Sequence, residues 1–153
     1  MTLSSLIPLL GLVTGLLPAT TAFQSASAEE EDEGATLVVR VGTFENEDGR
    51  LGCRLFSNPA AFPDGSGRSR TATIDGTRGT CTFRNVEPGT YALAAIHDEN
   101  ANGRLDKNWV GMPTEGYGVS NNKTHAMSAP EWDESSFTVT AGERRTFNIR
   151  LRY

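Results

Sequence analysis

Thr146-Phe147-Asn148-Ile149-Arg150-Leu151-Arg152-Tyr153 decides the fold. Apolar residues fall at every second position, so Phe147, Ile149, Leu151 and Tyr153 are expected to face inward and Asn148, Arg150 and Arg152 outward. A period of two is that of a half-buried strand; a helix would scatter these side chains around its circumference. Thr90-Tyr91-Ala92-Leu93-Ala94-Ala95-Ile96-His97 also alternates, but both of its faces are apolar. That composition predicts a central strand, covered on both sides.

Working outward, Leu37-Val38-Val39-Arg40-Val41 is a short β-branched strand ending near Phe44, followed by turn chemistry at Glu47-Asp48-Gly49. Arg50 to Phe56 is a second strand with Leu51, Cys53 and Leu55 on one face, and the Ser57–Gly67 loop carries Phe62 as an apolar plug. Thr71 to Ile74 and Gly79 to Phe83 read as a pair joined through Asp75-Gly76, with Cys81 and Phe83 sharing a face. Glu87-Pro88-Gly89 turns the chain into the central strand. Phe137-Thr138-Val139 is expected to pair with Thr146–Tyr153 across Ala141-Gly142-Glu143. No window of helical length sustains a helical period. The expected fold is a single all-β domain over residues 35–153, an antiparallel β-sandwich (or small barrel) of about seven strands. The Asp98–Pro130 segment, rich in Gly and Asn, breaks the strand rhythm and is expected to be one long structured loop.

The 153 residues suffice for one domain. Leu6 to Leu17 is an apolar run as long as a signal-peptide core and short of the ~20 residues that span a bilayer. Ala26-Ser27-Ala28 offers small residues where a signal peptidase reads, so residues 1–28 are expected to be a signal peptide, leaving 153 − 28 = 125 residues. Residues 29–34 are an acidic linker with the composition of a disordered segment. No Lys or Arg precedes the apolar run, which keeps an uncleaved anchor as the alternative; no Cys at the cleavage site invites lipidation. Export places the domain in the periplasm or outside the cell. There the two cysteines, Cys53 and Cys81, are expected to pair; a reactive thiol or half a metal site is the alternative, but neither Cys has a His or Cys close in sequence.

The net charge is −5, from 19 acids and 14 bases, and the run Glu29–Glu33 supplies five of those acids. The rest therefore carries 19 − 5 = 14 acids against 14 bases. Neutrality of this kind gives no basic footprint for nucleic acid and no cationic helix for a membrane surface. No membrane span is expected after signal cleavage.

The sharpest chemical signal is Asp98-Glu99-Asn100-Ala101-Asn102-Gly103-Arg104-Leu105-Asp106. Calcium takes six to eight oxygens, and oxygen-bearing side chains at alternate positions with a turn-forming Gly wrap such an ion. Asp98, Asn100 and Asn102 would offer side-chain oxygens, Arg104 its carbonyl, and Asp106 a direct or water-mediated contact, while Leu105 pins the loop to the core. The twelfth position is Trp109 where a helix-loop-helix calcium site has a bidentate Glu, and the flanks are strands. Two carboxylates imply weak affinity, to which Glu99 or Glu115 adds charge if the chain folds back. The metal-free alternative is an Asx-rich turn that caps its own amides.

His97 and His125 raise catalysis. His97 with Asp98 and Glu99 suits a small hydrolase or metalloenzyme, yet no Gly-x-Ser-x-Gly elbow, phosphate-cradling loop or paired-histidine motif accompanies them. A histidine at a strand end is more often a hydrogen-bonded structural residue. His97, Trp109, Glu115 and Tyr117 make a candidate ligand surface, and packing over the sandwich end is the plainer role for the two aromatics.

Three segments then carry a resemblance: Val86-Glu87-Pro88-Gly89-Thr90-Tyr91-Ala92-Leu93, His97 through Asp106, and Gly111-Met112-Pro113-Thr114-Glu115-Gly116-Tyr117-Gly118-Val119-Ser120-Asn121-Asn122. Together they closely resemble the exported bacterial family called domain of unknown function 2141, over about Thr36 to Tyr153; Val119 stands where members usually carry a bulkier residue. The resemblance implies a periplasmic or secreted β-sandwich and no established activity. The Pro88-Gly89-Thr90-Tyr91 strand entry is also similar to transthyretin-like and adhesin B-type modules, a likeness of fold alone. The expected function is a non-catalytic binding or envelope-associated module with a weak calcium-stabilised loop. The hydrolase above and a carrier of a small hydrophobic ligand, for which Ala92, Ala94 and Ala95 leave room, are the rivals.

Overall fold

The computed structural model describes residues 34–125 and 128–153; the expected signal peptide and most of the acidic linker lie outside them. Two sheets pack face to face. One has the order β4 (Ile74–Asp75), β5 (Arg78–Val86), β1 (Ala35–Gly42), β9 (Arg144–Arg150). The other runs β3 (Arg68–Ala72), β2 (Arg50–Phe56), β6 (Gly89–Asp98), with β7 (Tyr117–Val119) and β8 (Phe137–Val139) sharing the far edge of β6. A single helical turn, α1 (Trp132–Ser135), precedes β8. Leu37, Val39 and Val41 from β1, Phe83 from β5 and Phe147 and Ile149 from β9 meet Leu51 and Leu55 from β2 and Leu93 and Ala95 from β6 in the shared core. No helix among the described residues is long and apolar enough to cross a membrane.

The sandwich stands, and its strand pairing differs from the sequence reading in three places. First, β8 and β9 are not a hairpin. β8 pairs with β6 and β9 with β1, in opposite layers. The turn at Thr140–Glu143, where the Glu143 carboxylate accepts from the Thr140 amide at 2.9 Å, carries the chain between layers. Phe137 and Phe147 consequently meet across the core with ring centroids 4.3 Å apart. Side by side in one sheet they could not have covered each other. Second, β9 runs parallel to β1, so the sandwich is antiparallel except at this pair. Third, only Ile74 and Asp75 pair with β5, while Arg68–Ala72 crosses to the edge of β2. The break falls at Thr73, and the chain thus feeds both sheets within eight residues.

Cys53 on β2 is bridged to Cys81 on β5, so the disulfide ties one layer to the other in the buried core. β6 is central, as its composition requires: β2 covers one edge and β7 with β8 the other. Phe62 plugs the Ser57–Gly67 loop against Phe56, with ring centroids 5.4 Å apart, and against Trp132 at 6.0 Å.

Candidate functional site

The C-terminal end of β6 delivers two polar residues into the interior. His97 and Asp98 are 0% and 1% exposed. In the strand register Asp98 lies opposite Arg50 of β2, which places the guanidinium against the carboxylate. Gly49 makes this approach possible: it has φ 66°, and a Cβ there would stand 2.0 Å from the Asp98 carbonyl oxygen. A side chain at position 49 would therefore push the β1–β2 turn off the loop.

His97 is fully engaged. Its Nε2 lies 2.9 Å from the Asp48 carbonyl oxygen, which only accepts, so Nε2 carries the proton. Nδ1, 2.8 Å from the Tyr153 hydroxyl, then accepts from it in the neutral ring. Phe44 packs edge-on against the imidazole at 5.1 Å. The sequence reading turned Tyr153 inward with Leu151; it is instead 48% exposed, with its hydroxyl returned to His97. Burial, opposed by the Glu45 amide and reinforced by the Glu45 and Glu99 carboxylates, raises the phenol above its ordinary value of 10.0. A raised pKa on this acid means the native state holds the proton more tightly than the unfolded chain. The stabilisation is complete below about pH 10 and is lost as pH climbs through the raised native value. Thermal unfolding should show an alkaline loss of stability whose Tyr153 component is missing from Tyr153→Phe; identical alkaline slopes in the two proteins would contradict this.

The Asp98–Asp106 loop closes on its own polar groups. Asp98 Oδ2 accepts from Arg50 Nε at 2.8 Å and from the Gly103 amide at 2.9 Å. Asn100 Oδ1 accepts from the Asn102 amide and Asn102 Oδ1 from the Arg104 amide, two successive Asx turns. The carboxamide Nδ2 atoms of Asn100 and Asn102 both donate to the Asp106 carboxylate, at 2.6 and 3.0 Å. Leu105, half buried, lies next to this carboxylate in the chain.

Glu115 does fold back. Only 5% exposed, it accepts from the Glu99 amide through Oε1 and from the Asp106 amide through Oε2, both at 2.9 Å. One carboxylate thus clasps both ends of the loop. In front of it lies a shallow open recess lined by Asp48, Gly49, Glu99, Asn100, Asp106, Thr114 and Glu115. One group in this region is left over: Asp98 Oδ1 is buried without a hydrogen-bond partner among the described residues. Arg50 and Asp48 are the site residues that sequence reading passed over. Their signals, a turn and the first residue of a strand, become specific only once β2 is known to pair with β6 in this register.

The other candidates do not gather here. Trp109 is 95% exposed at the tip of a turn held by Asn108, whose Oδ1 accepts from the Val110 and Met112 amides. Tyr117 sits in β7 and pairs through its backbone with Arg152; it makes no ring contact with Trp109 among the described residues. His125 pairs with Glu134 at 2.6 Å and shares no partner with His97. Arg104 is exposed, and only its amide joins the loop's hydrogen bonds.

No curated protein and no solved structure matches the chain. A family model does match, over residues 39–147, from the fifth residue of β1 to the fourth of β9, so that β2 to β8 and the whole acidic loop fall inside it. The chain belongs to the family described as uncharacterized protein conserved in bacteria, DUF2141.

Proposed function

We propose that this chain is an exported, non-catalytic binding module of the bacterial envelope whose acidic loop takes up a calcium ion weakly. The observation that carries the ion is the buried, unpartnered Asp98 Oδ1, in a loop whose Glu99 and Asp106 line an open recess with Asp48 and Glu115. A buried carboxylate oxygen without a donor is costly, and neighbouring carboxylates repel; a hard divalent cation relieves both. The donors on offer are all oxygen, as a hard cation requires: Asp98, Asp106, the Asn100 and Asn102 carboxamides and loop carbonyls. Two features keep affinity low. Few ligands are charged, and the Asp106 carboxylate is already held by two carboxamide N–H donors that an ion must displace. Dissociation constants of about 10⁻⁴–10⁻³ M, the extracellular range, follow.

The non-catalytic part rests on His97. Its two nitrogens are occupied and its ring is shut away from solvent, so the residue that would anchor a hydrolase is committed to joining Tyr153 to the Asp48 turn. Export is supported by the Cys53–Cys81 bridge, since such bonds persist in oxidising compartments. Calorimetric titration with calcium should give one weak site, weakened at least tenfold in Asp98→Asn. Heats indistinguishable from buffer up to millimolar calcium would eliminate the ion and leave a self-capped loop.

A further inference from the structure

The outer face of the β4-β5-β1-β9 sheet carries five arginines. Arg40 of β1, Arg78 and Arg84 of β5, and Arg144 and Arg150 of β9 alternate with buried core residues and are all exposed. The register fixes their layout. Gly42 pairs with Arg78 on one side and Arg150 on the other, so two guanidiniums flank a position with no side chain. At the opposite end Thr36 pairs with Arg144, and Arg84 follows the Leu37–Phe83 pair. Each flanking pair spans two strand spacings, roughly 10 Å, and the pairs lie six residues or roughly 20 Å apart. Arg40 sits between them, with Thr80 and Asn148 as neighbours.

Among the described residues one strand carboxylate shares this sheet: Asp75, on the outermost strand opposite Arg78, which leaves Arg40, Arg84, Arg144 and Arg150 without an acid in the four strands. Among the described residues, the arginine and lysine ion pairs are Arg50–Asp98 and Lys107–Asp64, so none of the five guanidiniums has a carboxylate partner. Single-sign clustering on neighbouring strands costs stability through repulsion, and a polyanion relieves it. The remainder of the face narrows the partner. Thr80, Thr82, Thr146 and Asn148 supply hydroxyls and a carboxamide, while the sole apolar side chain, Val38, is half buried. Nothing there can insert between lipid tails, and no aromatic ring offers a base-stacking platform.

We propose that this face binds a linear acidic polysaccharide lying along β1, its anionic groups taken by the arginine forks and its hydroxyls by the threonine and asparagine side chains. The site is independent of the calcium loop, which stands at the end of β6 in the other sheet. The test is titration of the purified protein with polygalacturonate oligomers in calcium-free buffer with chelator, across a salt series. Neutral dextran, phosphatidylglycerol vesicles and single-stranded DNA serve as comparison ligands. Polygalacturonate should bind and dextran should not, with log K falling linearly in log salt, as for other polyelectrolytes. Arg40→Glu and Arg144→Glu should each weaken binding at least about tenfold, since each removes a charge-assisted pair and adds a repelling charge, and should flatten the salt slope by about two. Lys107→Glu, remote from the sheet, should leave binding unchanged. The two arginines being exposed and their mutual repulsion being relieved, their variants should unfold at or above the wild-type temperature, so lost binding is not lost fold. Equal binding by dextran, stronger binding by vesicles or DNA, or affinity indifferent to both arginine reversals would each overturn the proposal.

Discussion

Replacing Cys53 and Cys81 together by Ala should lower the unfolding free energy by about 3–4 kcal/mol, the chain-entropy value for a loop of this length. The bridge spans 28 residues of sequence and joins β2 to β5, two strands that share no hydrogen bonds because they lie in opposite layers. Its loss therefore removes a covalent tie between sheets otherwise held there only by side-chain packing. Both cysteines are 2% exposed, so two small apolar residues in their place add a modest packing defect of the same sign. In a domain of this size the change corresponds to a fall in melting temperature of about 10–20 °C. Chemical denaturation of the native and double-Ala proteins, each fitted with its own m-value because the uncrosslinked chain unfolds to a more expanded state, measures it. A difference below about 1 kcal/mol would mean that the layers are locked by the remaining core.

Glu115→Ala should be the most damaging single substitution in the loop, costing about 2–4 kcal/mol. Glu115 makes two charge-assisted hydrogen bonds, one to each end of the Asp98–Asp106 segment. Such bonds are worth on the order of 1.5–3 kcal/mol each, and the Glu99 and Asp106 amides would have to find water in their place. Glu115→Gln should rescue little, since its carboxamide presents an N–H where one of the backbone donors needs an acceptor. Hydrogen exchange at those two amides should accelerate by orders of magnitude in Glu115→Ala while the β1 and β2 amides stay protected. Unchanged exchange at both positions would refute the clasp.

Local patterns revealed what each segment is; the fold determined which segments meet. The alternation in Phe147–Leu151 and the doubly apolar Leu93–Ile96 marked a half-buried and a central strand, because burial on one face or two writes directly into residue type. Aspartate and asparagine at alternate positions around Gly103 offered a calcium loop or a self-capping turn, and the Asx turns are formed. Partner choice has no such local signature. Ala141-Gly142-Glu143 is good hairpin chemistry, yet Phe137 and Val139 are buried only by crossing to the other layer, an outcome set by the whole core. The parallel β1–β9 pair is equally silent in sequence. Tyr153 continues the alternation of β9 but lies past the strand's end at Arg150 and past Leu151, the last core residue of the chain, and its hydroxyl bonds to His97 and to the Glu45 amide.

The arginine face was illegible for a related reason. Arg40, Arg78, Arg84, Arg144 and Arg150 each read as an ordinary solvent-facing residue, and the acids and bases of the folded part cancel overall. The cluster appears only when three strands distant in sequence are laid side by side, which gathers these five arginines on one sheet face, while Asp48, Glu99, Asp106 and Glu115 gather around the far end of β6. The exposed Trp109 turn, whose amides are held by Asn108, takes part in neither site.

Thermal unfolding of the purified, oxidised protein across a calcium titration, with magnesium and chelator controls, tests the ion directly. An ion bound only by the native state stabilises by RT ln(1 + [L]/Kd), about 2.7 kcal/mol at 100 times Kd. A saturable, calcium-specific rise in melting temperature, absent in Asp98→Asn, is the expected result. A flat response through millimolar calcium, or an equal rise with magnesium and in Asp98→Asn, would contradict it.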